Sequence, residues 1–155
     1  MMNLAEKVLD KYRLAGLKIA TAESCTGGLI GAELTAINGS SDVFERGFIT
    51  YSNEAKSEML GVSKDVLERC GAVSEDVAKL MAYGALVNSH ADVSVAVTGI
   101  AGGGGGTDEK PVGLVYIAVC RIGGCPVCDK YIFDGDRETV RSQTVEKALE
   151  MLLAG

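Results

Sequence analysis

The sequence predicts an α/β fold, a three-layer α/β/α sandwich around a mixed, mostly parallel sheet. Three observations predict it. Helix-like and strand-like patterns alternate through the first part of the chain. Two strand-like runs joined around Gly123-Gly124 come late and read as an antiparallel hairpin. The chain has 155 residues, 47% of them hydrophobic, enough for one domain to bury a core without a metal or disulfide staple.

The elements follow in order. Residues 3–15 read as an amphipathic helix, with Asn3 as cap, Glu6 at the reciprocal capping position, and Leu4, Val8, Leu9, Tyr12 and Leu14 on the buried side. Gly16 stops it. Residues 18–22 form a short strand, Glu23 to Gly28 a sharp polar turn, and residues 29–37 a helix. A second strand is predicted over 48–51. Helices are predicted over 54–60, 64–69 and 74–89, with Ser63 and Ser74 at capping positions. A β-branched strand over 92–98 runs into Gly99-Ile100-Ala101 and five consecutive glycines, Gly102 to Gly106. The hairpin strands cover 113–121 and 126–133, and Asp136 caps a last helix reaching about Leu153. No linker, repeat or second domain interrupts residues 1–155, which are expected to form a single domain.

Charge and composition exclude several classes. A net charge of -6 argues against nucleic acid as a partner, because neutralising phosphates needs a basic face. A small anionic ligand remains compatible, since local arginines can hold it. No run approaches the roughly 18 apolar residues of a membrane span, and no secretory signal opens the chain. Five cysteines without an export signal read as reduced thiols, so a cytoplasmic location is expected.

The candidate chemistry starts from a shortage. There is one histidine, His90, near the end of a predicted helix and at the wrong end of its strand for the Thr98 turn. Nucleophilic catalysis here needs another base, and a desolvated lysine can supply it. Ser24 follows a strand and precedes a helix, where its hydroxyl can face a cleft and the amides of Cys25, Thr26 and Gly27 can hold an oxyanion. The alternative is that Ser24 and Thr26 merely cap the helix. Cys25 is a rival nucleophile or a small packing residue. Cys120, Cys125 and Cys128 have a metal-like spacing but no evident fourth ligand, so no metal site is expected. The glycine run permits close backbone approach to a ligand, or is a flexible surface loop.

Longer strings add a resemblance. Thr21-Ala22-Glu23-Ser24-Cys25-Thr26-Gly27-Gly28 resembles the opening motif of the C-terminal domain of the competence/damage-inducible (CinA) protein family. The resemblance continues through Gly39-Ser40-Ser41, Phe44 and the run from Gly47 to Lys56. It resumes at Gly71-Ala72-Val73-Ser74, Thr98-Gly99-Ile100-Ala101-Gly102, Glu109-Lys110-Pro111-Val112-Gly113, Gly135-Asp136-Arg137 and Val140-Arg141. These blocks span almost the whole chain in order.

The resemblance implies a CinA C-terminal-like fold and a nicotinamide-nucleotide amidase. Such an enzyme hydrolyses nicotinamide mononucleotide to nicotinate mononucleotide and ammonia in pyridine nucleotide salvage, with no cofactor. It implies Ser24 as nucleophile, Lys56 as its proton acceptor and Tyr51 as a supporting hydroxyl. Substrate contacts would come from Cys25, Thr26, Gly27, Ser40, Thr98, Gly99 and Gly102, with Arg137 or Arg141 on the phosphate. It also implies a homodimer, in a standalone form without the molybdopterin-binding-like domain often fused ahead. The family loop usually reads Gly-Ile-Ala-Gly-Pro, whereas this chain has Gly103 in the proline position. Two other readings stay open from sequence: a non-catalytic nucleotide-binding or regulatory module, and an amidase for another small amide.

Overall fold

A computed structural model describes residues 1–155. Helix α1, Leu4–Ala15, starts with the expected reciprocal cap between Asn3 and Glu6 and ends at Gly16. Strand β1, Ile19–Glu23, is buried throughout, and helix α2 follows as Leu29–Thr35, shorter than predicted. A 3₁₀ turn at Ser40–Asp42 leads into β2, Phe44–Ile49, then α3, Asn53–Leu60, and α4, Lys64–Cys70. Helix α5 is Glu75–Val87, capped by Ser74 as expected, and β3 is Val93–Gly99. The hairpin strands β4, Leu114–Arg121, and β5, Val127–Ile132, precede α6, Arg137–Ala154, capped by Asp136.

One element sits differently from the prediction. β2 begins four residues earlier than position 48 and stops before Tyr51. It is an edge strand of mixed exposure, so Phe44-Glu45-Arg46-Gly47 lacks the apolar signal that marks interior strands. Thr50 still donates its N–H to the Glu23 carbonyl (2.9 Å), and the chain then turns into α3 behind the Ser52 cap.

The sheet order is β2-β1-β3-β4-β5. β1 pairs in parallel with β2 and β3, whereas β4 is antiparallel to both β3 and β5. Four strands therefore share one direction and β4 alone opposes them. On one face α1, α2 and α6 pack over the odd-numbered valines of β3, Val93, Val95 and Val97. On the other, α3, α4 and α5 pack over Ala22, Ala96 and Ala118. Small residues there let α5 lie close, and Ser94 donates its hydroxyl to the Ala82 carbonyl of α5 (2.6 Å). No helix is long and apolar enough to cross a membrane.

Candidate active site

The chain leaves β1 toward α2 in one helical layer and leaves β2 toward α3 in the other. Diverging exits leave a crevice beyond the carboxyl ends of these strands, where open α/β sheets place their ligands. A cleft of about 250 Å³ lies there. Ser24, Cys25, Tyr51, Asn53 and Lys56 line it, with Ala72-Val73, residues 98–102, Gly105 and Arg137.

Ser24 and Lys56 meet in it. Lys56 lies on the first turn of α3 and is 1% exposed; Ser24 is 8% exposed. Lys56 Nζ is 3.0 Å from Ser24 Oγ and donates to the carbonyls of Thr50 (2.9 Å) and Tyr51 (3.1 Å). No carboxylate pairs with this amine, and burial lowers its pKa from the ordinary 10.5. Tyr51 contributes its carbonyl to Lys56, while its phenol projects to the cleft mouth and accepts from Arg137 (3.0 Å).

The turn after β1 is organised by a residue to which sequence reasoning gave no role. Glu23, 2% exposed, accepts from the amides of Ile30 (2.9 Å) and Gly31 (3.0 Å) and from the Thr26 hydroxyl (2.5 Å). Glu23 thus caps α2, whose Gly28 N-cap has no side chain to do so. The helix-cap alternative for Ser24 and Thr26 is thereby displaced: Ser24 is free of the cap, and Thr26 serves Glu23. The available signal was a carboxylate at the end of a strand, six residues before the next helix starts, with Thr26 three residues on.

The oxyanion donors need one correction. The Gly27 amide is spent on the Ser24 carbonyl (3.1 Å). The amides of Cys25 and Thr26 have no hydrogen-bond partner in the protein, although Thr26 is fully buried. Orphan buried N–H groups are rare, and of these two the Cys25 amide belongs to a residue lining the cleft, where a ligand can take it. Cys25 is buried, which pushes its thiol up to about 11, so it is not a thiolate at neutral pH.

Of the other expected contacts, Thr98, Gly99, Gly102 and Arg137 line the cleft. Thr98 donates its hydroxyl to the Ala72 carbonyl (2.9 Å) and so ties the 72–73 segment to β3. Lys110 holds the chain just before that segment through the Cys70 carbonyl at the end of α4 (2.7 Å). Thr26, Gly27, Ser40 and Arg141 do not line it. Ser40 precedes β2 and lies at the opposite end of the sheet, because Phe44 pairs with Ile19 at the start of β1. Arg141 donates to the carbonyls of Cys25 and Thr26 (3.1 Å each) and borders a wider groove of about 840 Å³ between α1, α2 and α6. Asn53 and the 72–73 segment are lining residues that sequence reasoning did not name.

His90 lies before β3, at the far end from Ser24, with its backbone N–H on Glu45 (3.0 Å). All five cysteines are free, and no three His, Cys, Asp or Glu side chains converge as a metal site would require. Gly103 has φ +79°, a conformation closed to proline, so the loop departs from a Gly-Pro path at that residue.

Known proteins match this fold and these strings together. The model of the CinA C-terminal domain family matches residues 1–154. The nicotinamide-nucleotide amidohydrolase PncC of Escherichia coli is 47% identical over 98% of this chain and 92% of its own length. A CinA-like protein of Akkermansia muciniphila is 55% identical over 97% of this chain, which spans only 36% of that longer protein. The crystal structure of the competence/damage-inducible protein CihA from Agrobacterium tumefaciens superposes with a TM-score of 0.95 and 51% identity, covering 97% of this chain and 92% of that one. A CinA superfamily structure from Escherichia coli gives 0.93 at 41% identity, over 97% and 87% of the two chains. The chain belongs to the CinA C-terminal domain family.

Proposed function

We infer that this protein is an amidase that hydrolyses nicotinamide mononucleotide to nicotinate mononucleotide and ammonia through a Ser24–Lys56 pair. The observation that carries the mechanism is the 3.0 Å contact between Lys56 Nζ and Ser24 Oγ in a cleft with no histidine or metal cluster. The relationship to PncC, which covers nearly the whole of both chains, supports the substrate.

The geometry suits a neutral lysine acting as base. A neutral amine has two N–H bonds and one lone pair. The carbonyls of Thr50 and Tyr51 take the two N–H bonds, which leaves the lone pair for the Ser24 hydroxyl. Lys56 accepts the Ser24 proton as Oγ attacks the carboxamide carbon. The amide of Cys25, which lines the cleft, donates to the developing oxyanion. Protonated Lys56 then gives its proton to the departing nitrogen, releasing ammonia and leaving nicotinate esterified to Ser24. Water, deprotonated by Lys56, cleaves that ester and restores Ser24. Arg137, which lines the cleft at its mouth, would hold the 5′-phosphate in this reading. Five free thiols suit a reducing, cytoplasmic setting. A single-domain homodimer accompanies the same reading.

Ammonia release from nicotinamide mononucleotide by the native chain, Ser24→Ala and Lys56→Ala tests it. Activity in the native protein that collapses in both variants is expected. Nucleotide binding without turnover in the native protein would discard the enzyme in favour of a binding module. Equal turnover of free nicotinamide would discard the nucleotide as the substrate.

A further inference from the structure

We propose that Arg141 and Glu23 are paired positioning residues that fix the direction of the two free amides following Ser24; this rests on the serine-nucleophile reading above. Neither residue lines the cleft. Both hold the turn between Ser24 and Gly28 by hydrogen bonds, Arg141 through backbone carbonyls and Glu23 through the Thr26 hydroxyl.

A trans peptide points its carbonyl and its N–H in opposite directions. Holding one therefore aims the other. The peptide joining Cys25 to Thr26 has its carbonyl on Arg141 Nε (3.1 Å), so the Thr26 N–H points away from the guanidinium. The peptide joining Ser24 to Cys25 has its carbonyl on the Gly27 amide, so the Cys25 N–H is directed the other way. Arg141 also bonds the Thr26 carbonyl (3.1 Å), which holds the peptide that supplies the Gly27 amide. One rigid fork thus fixes two successive peptide planes, and the ammonium of lysine lacks that planar geometry.

Glu23 holds the turn through different atoms. Its Oε1 accepts from the Thr26 hydroxyl and the Ile30 amide, and its Oε2 from the Gly31 amide. Thr26 is therefore held twice, by its hydroxyl on Glu23 and by its carbonyl on Arg141. The two charges are buried or half-buried, and each spends its hydrogen bonds on this turn or on the helix after it. Such an arrangement presents the Cys25 N–H to a developing charge without reorganisation at the moment of reaction, with the Thr26 peptide locked behind it.

The decisive readout is acylation of Ser24 by p-nitrophenyl acetate, an activated ester whose attack needs the oxyanion donors but no nucleotide recognition. The native chain should release a burst of one nitrophenolate per chain, absent in Ser24→Ala. In Arg141→Met and Glu23→Gln the burst rate should fall about a hundredfold, the scale of losing one oxyanion donor. Arg141→Lys should not restore it. With nicotinamide mononucleotide, kcat should fall by a similar factor while KM stays within about twofold.

A KM increase for the nucleotide with an unchanged burst would overturn the proposal and make Arg141 a phosphate ligand. A folded Arg141→Lys with the native burst rate would also overturn it, and decides the matter if the methionine variant does not fold. An Arg141-dependent burst without ammonia release from the nucleotide would remove the amidase reading and leave the positioning role standing. Ammonia release without any burst in the native chain would do the reverse.

Discussion

Lys56 Nζ sits 3.0 Å from Ser24 Oγ, yet the two residues reach that point from chain segments entering opposite helical layers of the sheet. The amine owes its lowered pKa first to this burial. A base must be neutral to work, so kcat/KM should fall as pH drops through the Lys56 pKa, with a midpoint below 10.5. A pH–rate profile on the mononucleotide checks this, and the limb should be missing from any residual activity of Lys56→Ala.

The same lowering makes a stability prediction. Between the folded pKa of Lys56 and its unfolded value of 10.5, the unfolded chain binds more protons than the folded one. Stability in that window therefore rises with pH. Melting temperatures of the native chain and Lys56→Met should converge or cross in the native chain's favour as pH is raised toward 10.5. Parallel curves would mean that the amine keeps its ordinary basicity in the fold.

Tyr51 and Arg137 offer a separation of roles. The phenol accepts from Arg137 (3.0 Å) and is 62% exposed, whereas the backbone carbonyl of Tyr51 serves Lys56. Tyr51→Phe keeps the carbonyl and loses the phenol. It should raise KM about fivefold, the equivalent of one hydrogen bond of about 1 kcal/mol, and leave kcat nearly intact. A large fall in kcat with unchanged KM would instead assign the phenol to proton transfer.

Gly84 lets α5 touch the end of α3. A Cβ there would fall on the carbonyl oxygen of Leu60, one turn after Lys56. Gly84→Ala should cost about 1–3 kcal/mol in chemical denaturation through overpacking. It should also lower kcat, because α3 must shift and carry Lys56 with it.

Gly103→Pro would not recreate the usual family loop. Proline needs φ near −65°, and Gly103 has φ +79° with no neighbour crowding it. The loop must re-route, so KM for the mononucleotide should change several-fold while the Ser24 burst rate does not. A proline variant that melts higher with unchanged KM would show that the loop tolerates both paths.

Legibility from sequence followed burial and local chemistry. Caps such as Asn3, Ser74 and Asp136 announced their helices, and the β-branched run of β3 announced the central strand. The edge strand β2 was legible only at its end, Phe48-Ile49, because half its side chains face water and its first residues carry no period. Ser24 and Lys56 were picked out by a turn and by a family string, and the fold places them in hydrogen-bond contact. Arg141 was expected at the phosphate because a guanidinium suits phosphate. That its fork is taken by two backbone carbonyls depends on the crossing of α6 over the β1 turn, 115 residues away in sequence for Thr26. Glu23 was overlooked for a related reason: a lone acidic residue reads as solvated until its neighbours are known.

The burial of Lys56 also has a meaning in time. A chain emerging from synthesis carries an ordinary charged lysine and an ordinary serine alcohol, which is no threat to the amides around it. Only when both helical layers close on the sheet is the amine stripped of water and its proton loosened. Reactivity would thus arrive as the last product of folding, and partly folded or damaged copies would be silent.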